Sequence, residues 1–166
     1  MTGKFLLGLN IACVLLLGIS TMSCEKEYVT IVPNIDPFEF DINLDNPKYQ
    51  KLKDGSFSSV LVTNGCGSLS GLSVCGYNSH GILLFRYLED TEIYAYDATC
   101  SNDTACLSYG VVEQSAQYPG NGACGRCGSS YNLIDGKHTE KKLMLRRYGV
   151  MPIGSYTGQF KVSNKY

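Results

Sequence analysis

Four cysteines in the second half of the chain constrain its fold more than any other feature. Cys100 and Cys106 form one pair and Cys124 and Cys127 a second, inside Ala123-Cys124-Gly125-Arg126-Cys127-Gly128-Ser129-Ser130-Tyr131. Sulfurs grouped in this way hold a metal or cluster, close as disulfides, or remain exchangeable thiols. The segments around them have to supply a scaffold for whichever of these applies.

The first residues assign the compartment. Lys4 is followed by an apolar run from Phe5 through Ile19 and then by Ser20, Thr21 and Ser23, the pattern of a secretory signal. The run is short of the roughly 20 apolar residues of a bilayer span. It stops at Cys24, and Ser20-Thr21-Met22-Ser23-Cys24 resembles a bacterial lipobox, which implies cleavage before Cys24 and lipidation of that cysteine. The other reading is an ordinary signal cleaved near Ser23, with Cys24 left as a free thiol. On the lipobox reading residues 1–23, including Cys13, are removed. The product is an exported lipoprotein of the outer membrane, on its periplasmic or its cell-surface face, held by a lipid anchor.

Residues 24–37 read as an acidic tether punctuated by Pro33 and Pro37, extended and solvated at its start. Its opening Glu25-Lys26-Glu27 looks like a short version of the surface-export signals of lipoproteins in the Bacteroidetes group. After removal of the signal, 13 basic side chains face 15 acidic ones, a net charge of about −2, and no basic patch argues for nucleic acid. The remainder, 38–166, is long enough for one domain with a proper core.

The apolar pattern along that domain has the short period of strands, and no convincing helical stripe appears. Phe38-Glu39-Phe40-Asp41-Ile42-Asn43-Leu44 alternates as a half-buried strand does. Further strands are predicted over 57–62, 81–88, 92–97, 111–117, 131–134, 142–150 and 156–162, with a possible extra hairpin in the Gly- and Ser-rich stretch 64–80. A single helical turn is predicted near 46–52. Turns are expected at Asp54-Gly55, Glu89-Asp90, Pro119-Gly120-Asn121-Gly122 and Asp135-Gly136. The fold class is all-β.

The order Gly81-Ile82-Leu83-Leu84-Phe85-Arg86, then Ile93-Tyr94-Ala95-Tyr96-Asp97-Ala98-Thr99-Cys100, then Cys124-Gly125-Arg126-Cys127-Gly128-Ser129-Ser130-Tyr131, then 143–150, resembles a Rieske iron-sulfur domain. The resemblance covers about 38–162. In that family a small antiparallel β-sandwich carries two loops at one end, the first with a Cys-x-His pair and the second with a Cys-x-x-His pair. It implies a [2Fe-2S] cluster at the loop tips and one-electron transfer to a redox partner protein. Cys100 and Cys124 stand at the two cysteine positions. Asn102 stands where the first histidine belongs and Cys127 where the second does, while His80 and His138 lie at neither. In this respect the chain resembles divergent Rieske-like lipoproteins of the Bacteroidetes type.

Three readings of the sulfurs follow. Cys100, Cys106, Cys124 and Cys127 hold a [2Fe-2S] cluster as four thiolates, with Cys106 replacing the missing donor and a potential lowered toward the ferredoxin range. Alternatively the same four bind zinc in a structural site. In the third, cross-loop disulfides staple the two loops together in an oxidising compartment. Cys66 and Cys75 are expected to close a separate disulfide. His80 reads as a turn residue and His138 as a solvated loop residue. Lys141, Lys142, Arg146 and Arg147 form the one basic run, but strand alternation sends Arg146 and Arg147 to opposite faces, which does not favour a docking patch. No Gly-x-Ser-x-Gly elbow, Cys-His pair or phosphate loop is visible, and no catalytic residue is assigned. At most the chain is an electron-transfer component. An oxygenase would need a second domain for a mononuclear iron, which this length does not provide.

Overall fold

The computed structural model describes residues 27–53, 57–68, 75–87, 92–155 and 158–164. Cys13, Cys24 and the turns expected at Asp54-Gly55 and Glu89-Asp90 lie outside the described residues.

Alternation in the first predicted strand becomes β1 (Phe38–Asn43), with Phe38, Phe40 and Ile42 buried and Glu39, Asp41 and Asn43 exposed. Six further strands join it: β2 (Ser58–Val62), β3 (Gly67–Ser68), β4 (Ile82–Arg86), β5 (Ile93–Asp97), β9 (Arg147–Pro152) and β10 (Gln159–Ser163). They form one sheet in the order β2-β4-β5-β9-β10-β1-β3, antiparallel between neighbours. The fold is all-β, as the short apolar period predicts.

Ile82-Leu83-Leu84-Phe85 does not alternate, because both faces of the sheet are covered there. Ile82 and Leu84 join Phe38, Ile42, Ile93 and Ala95 in one core. Leu83 and Phe85 point the other way, into a second core with Tyr94, Tyr96, Tyr131 and Leu133. A strand buried on both sides reads as a continuous apolar run. That second core also contains Cys100, Cys106 and Cys124.

Its lid is a three-stranded sheet of β6 (Val112–Gln114), β7 (Asn121–Cys124) and β8 (Ser130–Asn132), in the order β6-β7-β8. Single bridges carry the ladder outward from Tyr131 to His138, from Lys137 to Met144, and from Leu143 to Val29. Strand pairing in 142–150 therefore splits. Its first half serves the small sheet through isolated bridges, and only from Arg147 does it become β9. The turn placed at Pro119-Gly122 closes earlier than expected, and Asn121 already opens β7.

A 3₁₀ turn (Pro47–Tyr49), capped by Asn46, runs into α1 (Gln50–Lys53), where the helical turn was expected. A second helix, α2 (Thr104–Tyr109), shows no helical stripe in the sequence and was not expected. Six residues are too few to display a helical stripe, and such a helix is held by its tertiary contacts rather than by propensity. Cys66 and Cys75, both fully buried, form the expected disulfide.

The start of the expected tether, residues 24–26, lies outside the described residues, and its later part is seated on the domain. From Tyr28 onward it lies on the domain, with Val29 N–H donating to Lys142 O at 3.2 Å and Met144 N–H to Val29 O at 2.9 Å. Val32 is 1% exposed, and its carbonyl accepts from Arg146 Nε at 2.8 Å. Asn164 holds residues 35 and 36 through their carbonyls and accepts the N–H of Phe38 at 2.9 Å. Charge and proline content mark a segment as solvated, but a few apolar side chains and a strand-edge pairing are enough to seat it.

Candidate metal centre

Each cysteine reaches the site from a different local structure. β5 runs out through the buried Asp97, whose carboxylate accepts the amides of Tyr77 (2.7 Å) and Thr99 (2.9 Å) and the hydroxyl of Tyr148 (2.5 Å). This network fixes the residue just before Cys100. Cys100 N–H then donates to Gly110 O at 2.9 Å.

Cys106 sits on α2. The Asp103 side chain caps that helix by accepting from Cys106 N–H at 2.7 Å, the usual role of Asp at a helix start. Gly110 ends it, and a Cβ at Gly110 would meet Cys106 O at 2.9 Å and the Cβ atoms of Cys100 and Cys106 at 3.0 Å each. Only glycine leaves room for the two cysteines to lie this close.

Cys124 ends β7, opposite Val112 of β6. A tight turn follows, with Gly128 N–H donating to Cys124 O and Cys124 N–H to Ser129 O, both at 2.9 Å. Gly128 has φ +73°, the left-handed region that favours glycine. Cys127 lies at the tip of this knuckle and is exposed, whereas the other three are buried.

The structure brings all four together. Their Sγ atoms lie within 4.8 Å of one another, Cys100 and Cys127 being 3.7 Å apart. All four are free thiols, so the cross-loop disulfides are not formed here. The four close cysteines could hold a metal ion.

Electrostatics fit that assignment. Burial pushes the Cys100 thiol up to about 12, against hydrogen bonds from the Tyr131 hydroxyl and the Asn102 amide that favour its thiolate. Cys106 is also pushed up, by burial and by its neighbouring thiols. Burial raises Cys127 too, but the Ser129 hydroxyl and amide and the Cys106 and Cys124 thiols outweigh it and hold Cys127 at about 6. One thiolate is thus ready at neutral pH. Deprotonating Cys100 and Cys106 beside it requires a cation, since buried like charges at these separations repel strongly.

Two hydroxyls address the sulfurs directly. Tyr131 Oη is 3.3 Å from Cys100 Sγ and 3.4 Å from Ser101 Oγ, and Ser129 Oγ is 3.2 Å from Cys127 Sγ. Asn102 gives its side chain elsewhere, accepting from Lys141 Nζ and donating to Asp103 at 3.3 Å. Neither histidine joins the sulfurs. His80 follows the 3₁₀ turn (Tyr77–Ser79), with its ring nitrogens 3.0 Å from Thr99 Oγ1 and 3.3 Å from Ser108 O.

His138 is not the solvated loop residue expected from its lysine neighbours. It is buried, and its ring packs edge-on against Tyr131 at 5.1 Å. Nδ1 accepts the amides of Glu140 and Lys141 at 3.0 and 3.2 Å, which assigns the proton to Nε2. Burial and the Lys141 charge hold it below the ordinary imidazole range. Sequence reasoning also missed Asp97, Gly110 and Asp103 as positioning residues, and only Asp103, directly before the run Thr104–Tyr109 that Gly110 ends, had a legible capping signal.

An open cavity of about 1060 Å³ lies elsewhere, lined by Leu44, Ile93, Phe160, Arg86 and Arg147 among others, and no cysteine borders it. Among the described residues no helix is long and apolar enough to cross a membrane. No family model, curated protein or solved structure matches the chain.

Proposed function

We propose that the chain is an exported, lipid-anchored protein whose four cysteines hold one metal ion as a tetrahedral tetrathiolate centre, with zinc as the resident ion. The observation that carries this reading is the spread of the sulfurs, all within 4.8 Å. Thiolates around one ion with metal-sulfur bonds of about 2.3 Å stand about 3.8 Å apart. Thiolates on the two irons of a [2Fe-2S] cluster are farther apart, about 5 to 6 Å, because a rhomb of irons and sulfides lies between them. The Cys100 to Cys127 separation of 3.7 Å is that of two thiolates on one tetrahedral metal, whether alone or in a cluster, so the spread of all four sulfurs is what favours a single ion. When bound, the ion supplies positive charge that stabilises four thiolates. Cys100 and Cys106 anchor the first loop and α2 to it, and Cys124 and Cys127 anchor the knuckle.

A second reading, one-electron transfer by a Rieske-like centre with a redox partner protein, draws support from the hydroxyls of Tyr131 and Ser129. Hydrogen bonds to cysteine sulfurs are a lever on the potential of an iron-sulfur site. That reading requires the two loops to part by an ångström or more.

Metal analysis and visible absorption of protein purified under anaerobic conditions separate them. One zinc per chain in a colourless sample is expected. Two irons with two acid-labile sulfides and visible absorption establish the cluster instead, and a sample free of both metals sinks the metal reading altogether.

A further inference from the structure

Tyr28 is where the chain leaves its anchoring segment and meets the domain, and the site of that meeting has a geometric consequence. If Cys24 carries the lipid, only Glu25, Lys26 and Glu27 separate it from Tyr28. Four residue steps span at most about 14 Å. A domain of this size is roughly 35 to 40 Å across. A leash shorter than half that diameter cannot let the domain present its far side to the bilayer.

The near side is the outer edge of the small-sheet ladder. Three bridges separate Val29 from Tyr131, which at about 4.8 Å each places the segment about 15 Å from the strand whose tyrosine touches Cys100. Val29 and Ile31 on the segment are 49% and 37% exposed although their neighbour Val32 is buried. Beside them, Lys137 covers the Tyr28 ring at 5.1 Å and pairs with Asp135, and Lys141 and Lys142 are exposed with Glu140 next to them. Apolar tips flanked by lysines suit a bilayer interface carrying anionic phospholipids.

We propose that the face made by residues 28–31 and 137–142 lies on an anionic phospholipid bilayer, which holds the four-cysteine centre on the membrane-proximal side of the domain. This rests on the reading of Cys24 as the lipid anchor and is independent of which metal the cysteines take.

The chain contains no tryptophan, so Val29→Trp and Tyr118→Trp each introduce a single reporter. Tyr118 is 59% exposed in the turn between β6 and β7, at the opposite end of that hairpin from the cysteine knuckle. Full-length protein carrying its own signal is reconstituted in phosphatidylethanolamine/phosphatidylglycerol vesicles containing lipids spin-labelled near the headgroup. Emission of the Val29→Trp protein is expected to shift to the blue and to be quenched severalfold more than that of Tyr118→Trp, and Lys141→Glu with Lys142→Glu is expected to narrow the difference. Ile31→Trp serves as a second reporter should Val29→Trp fold poorly. Equal quenching at both positions, in protein that floats with the vesicles and is released by Cys24→Ala, overturns the orientation and leaves the anchor standing. Wild-type protein that does not float removes the anchor and the orientation together.

Discussion

The charge state of the sulfurs decides how the centre takes up a cation. Cys100 and Cys106 are pushed up by burial and carry protons at neutral pH, whereas Cys127, at about 6, has already lost its own. Uptake of an ion as a tetrathiolate therefore releases at least two protons. Apparent affinity for zinc is expected to rise at least about 100-fold per pH unit between pH 6.5 and 8, and more steeply below 6 where Cys127 regains its proton. Competition with a chelator across that range measures the slope, and a slope near zero would show that the buried thiols are not ligands. Space at one glycine is the other residue-scale control. Gly110→Ala pushes a methyl against Cys100 and Cys106, at an expected cost of about 1 to 3 kcal/mol and with weakened metal binding. Gly125→Ala, which meets nothing within 4 Å, should leave both unchanged in thermal melts and metal titrations.

At the scale of elements, Asp97 joins the end of β5 to the 3₁₀ turn and to β9, because its two oxygens take donors from all three neighbourhoods. It is fully buried, so each donor depends on it rather than on water. Asp97→Ala strands two amides and the Tyr148 hydroxyl and is expected to destabilise by about 3 to 5 kcal/mol. Asp97→Asn keeps acceptor capacity on one side and should cost less. Denaturant unfolding of the two variants checks the order, and equal costs would mean that lost packing rather than lost acceptors dominates. The Cys66–Cys75 disulfide secures the same region from its other side, since Gly81 N–H donates to Cys75 O at 2.9 Å and Ala98 N–H to Gly81 O at 3.0 Å.

The whole molecule is two cores that share the faces of one sheet. The core of Phe38, Ile42, Leu52, Val62, Tyr148 and Val162 contains only the disulfide cysteines, whereas the other contains Cys100, Cys106 and Cys124. If the four cysteines hold a metal ion, removing it should loosen one core before the other. Hydrogen exchange after chelation is expected to lose protection in β6, β7, β8 and α2 while β1, β9 and β10 keep theirs. Uniform loss across both groups would indicate that the metal site and the large sheet form a single cooperative unit. Residues 28–36 are tied to both layers, to the small-sheet ladder through Val29 and to the large sheet's side through Arg146 and Asn164.

Legible in the sequence alone were the all-β class, the alternating strand at Phe38–Asn43, strands at Ile82–Arg86 and Ile93–Asp97, and the Cys66–Cys75 bridge, whereas the covering of both faces of those two strands was not. The legible features follow from side-chain period and from cysteine spacing, which are local properties of the chain. The sequence also singled out Cys100, Cys106, Cys124 and Cys127, but not how they stand to one another. That depended on α2 lifting Cys106 inward, on Gly110 admitting two cysteines side by side and on a register that sets Cys124 against Val112. The seating of residues 28–36 was equally illegible, because its partners lie more than 100 residues away in the chain, and so was the burial of His138, which depends on its strand bridge to Tyr131. Distances between sulfurs are set by which loops the two sheets bring together, and no local pattern of residues encodes that.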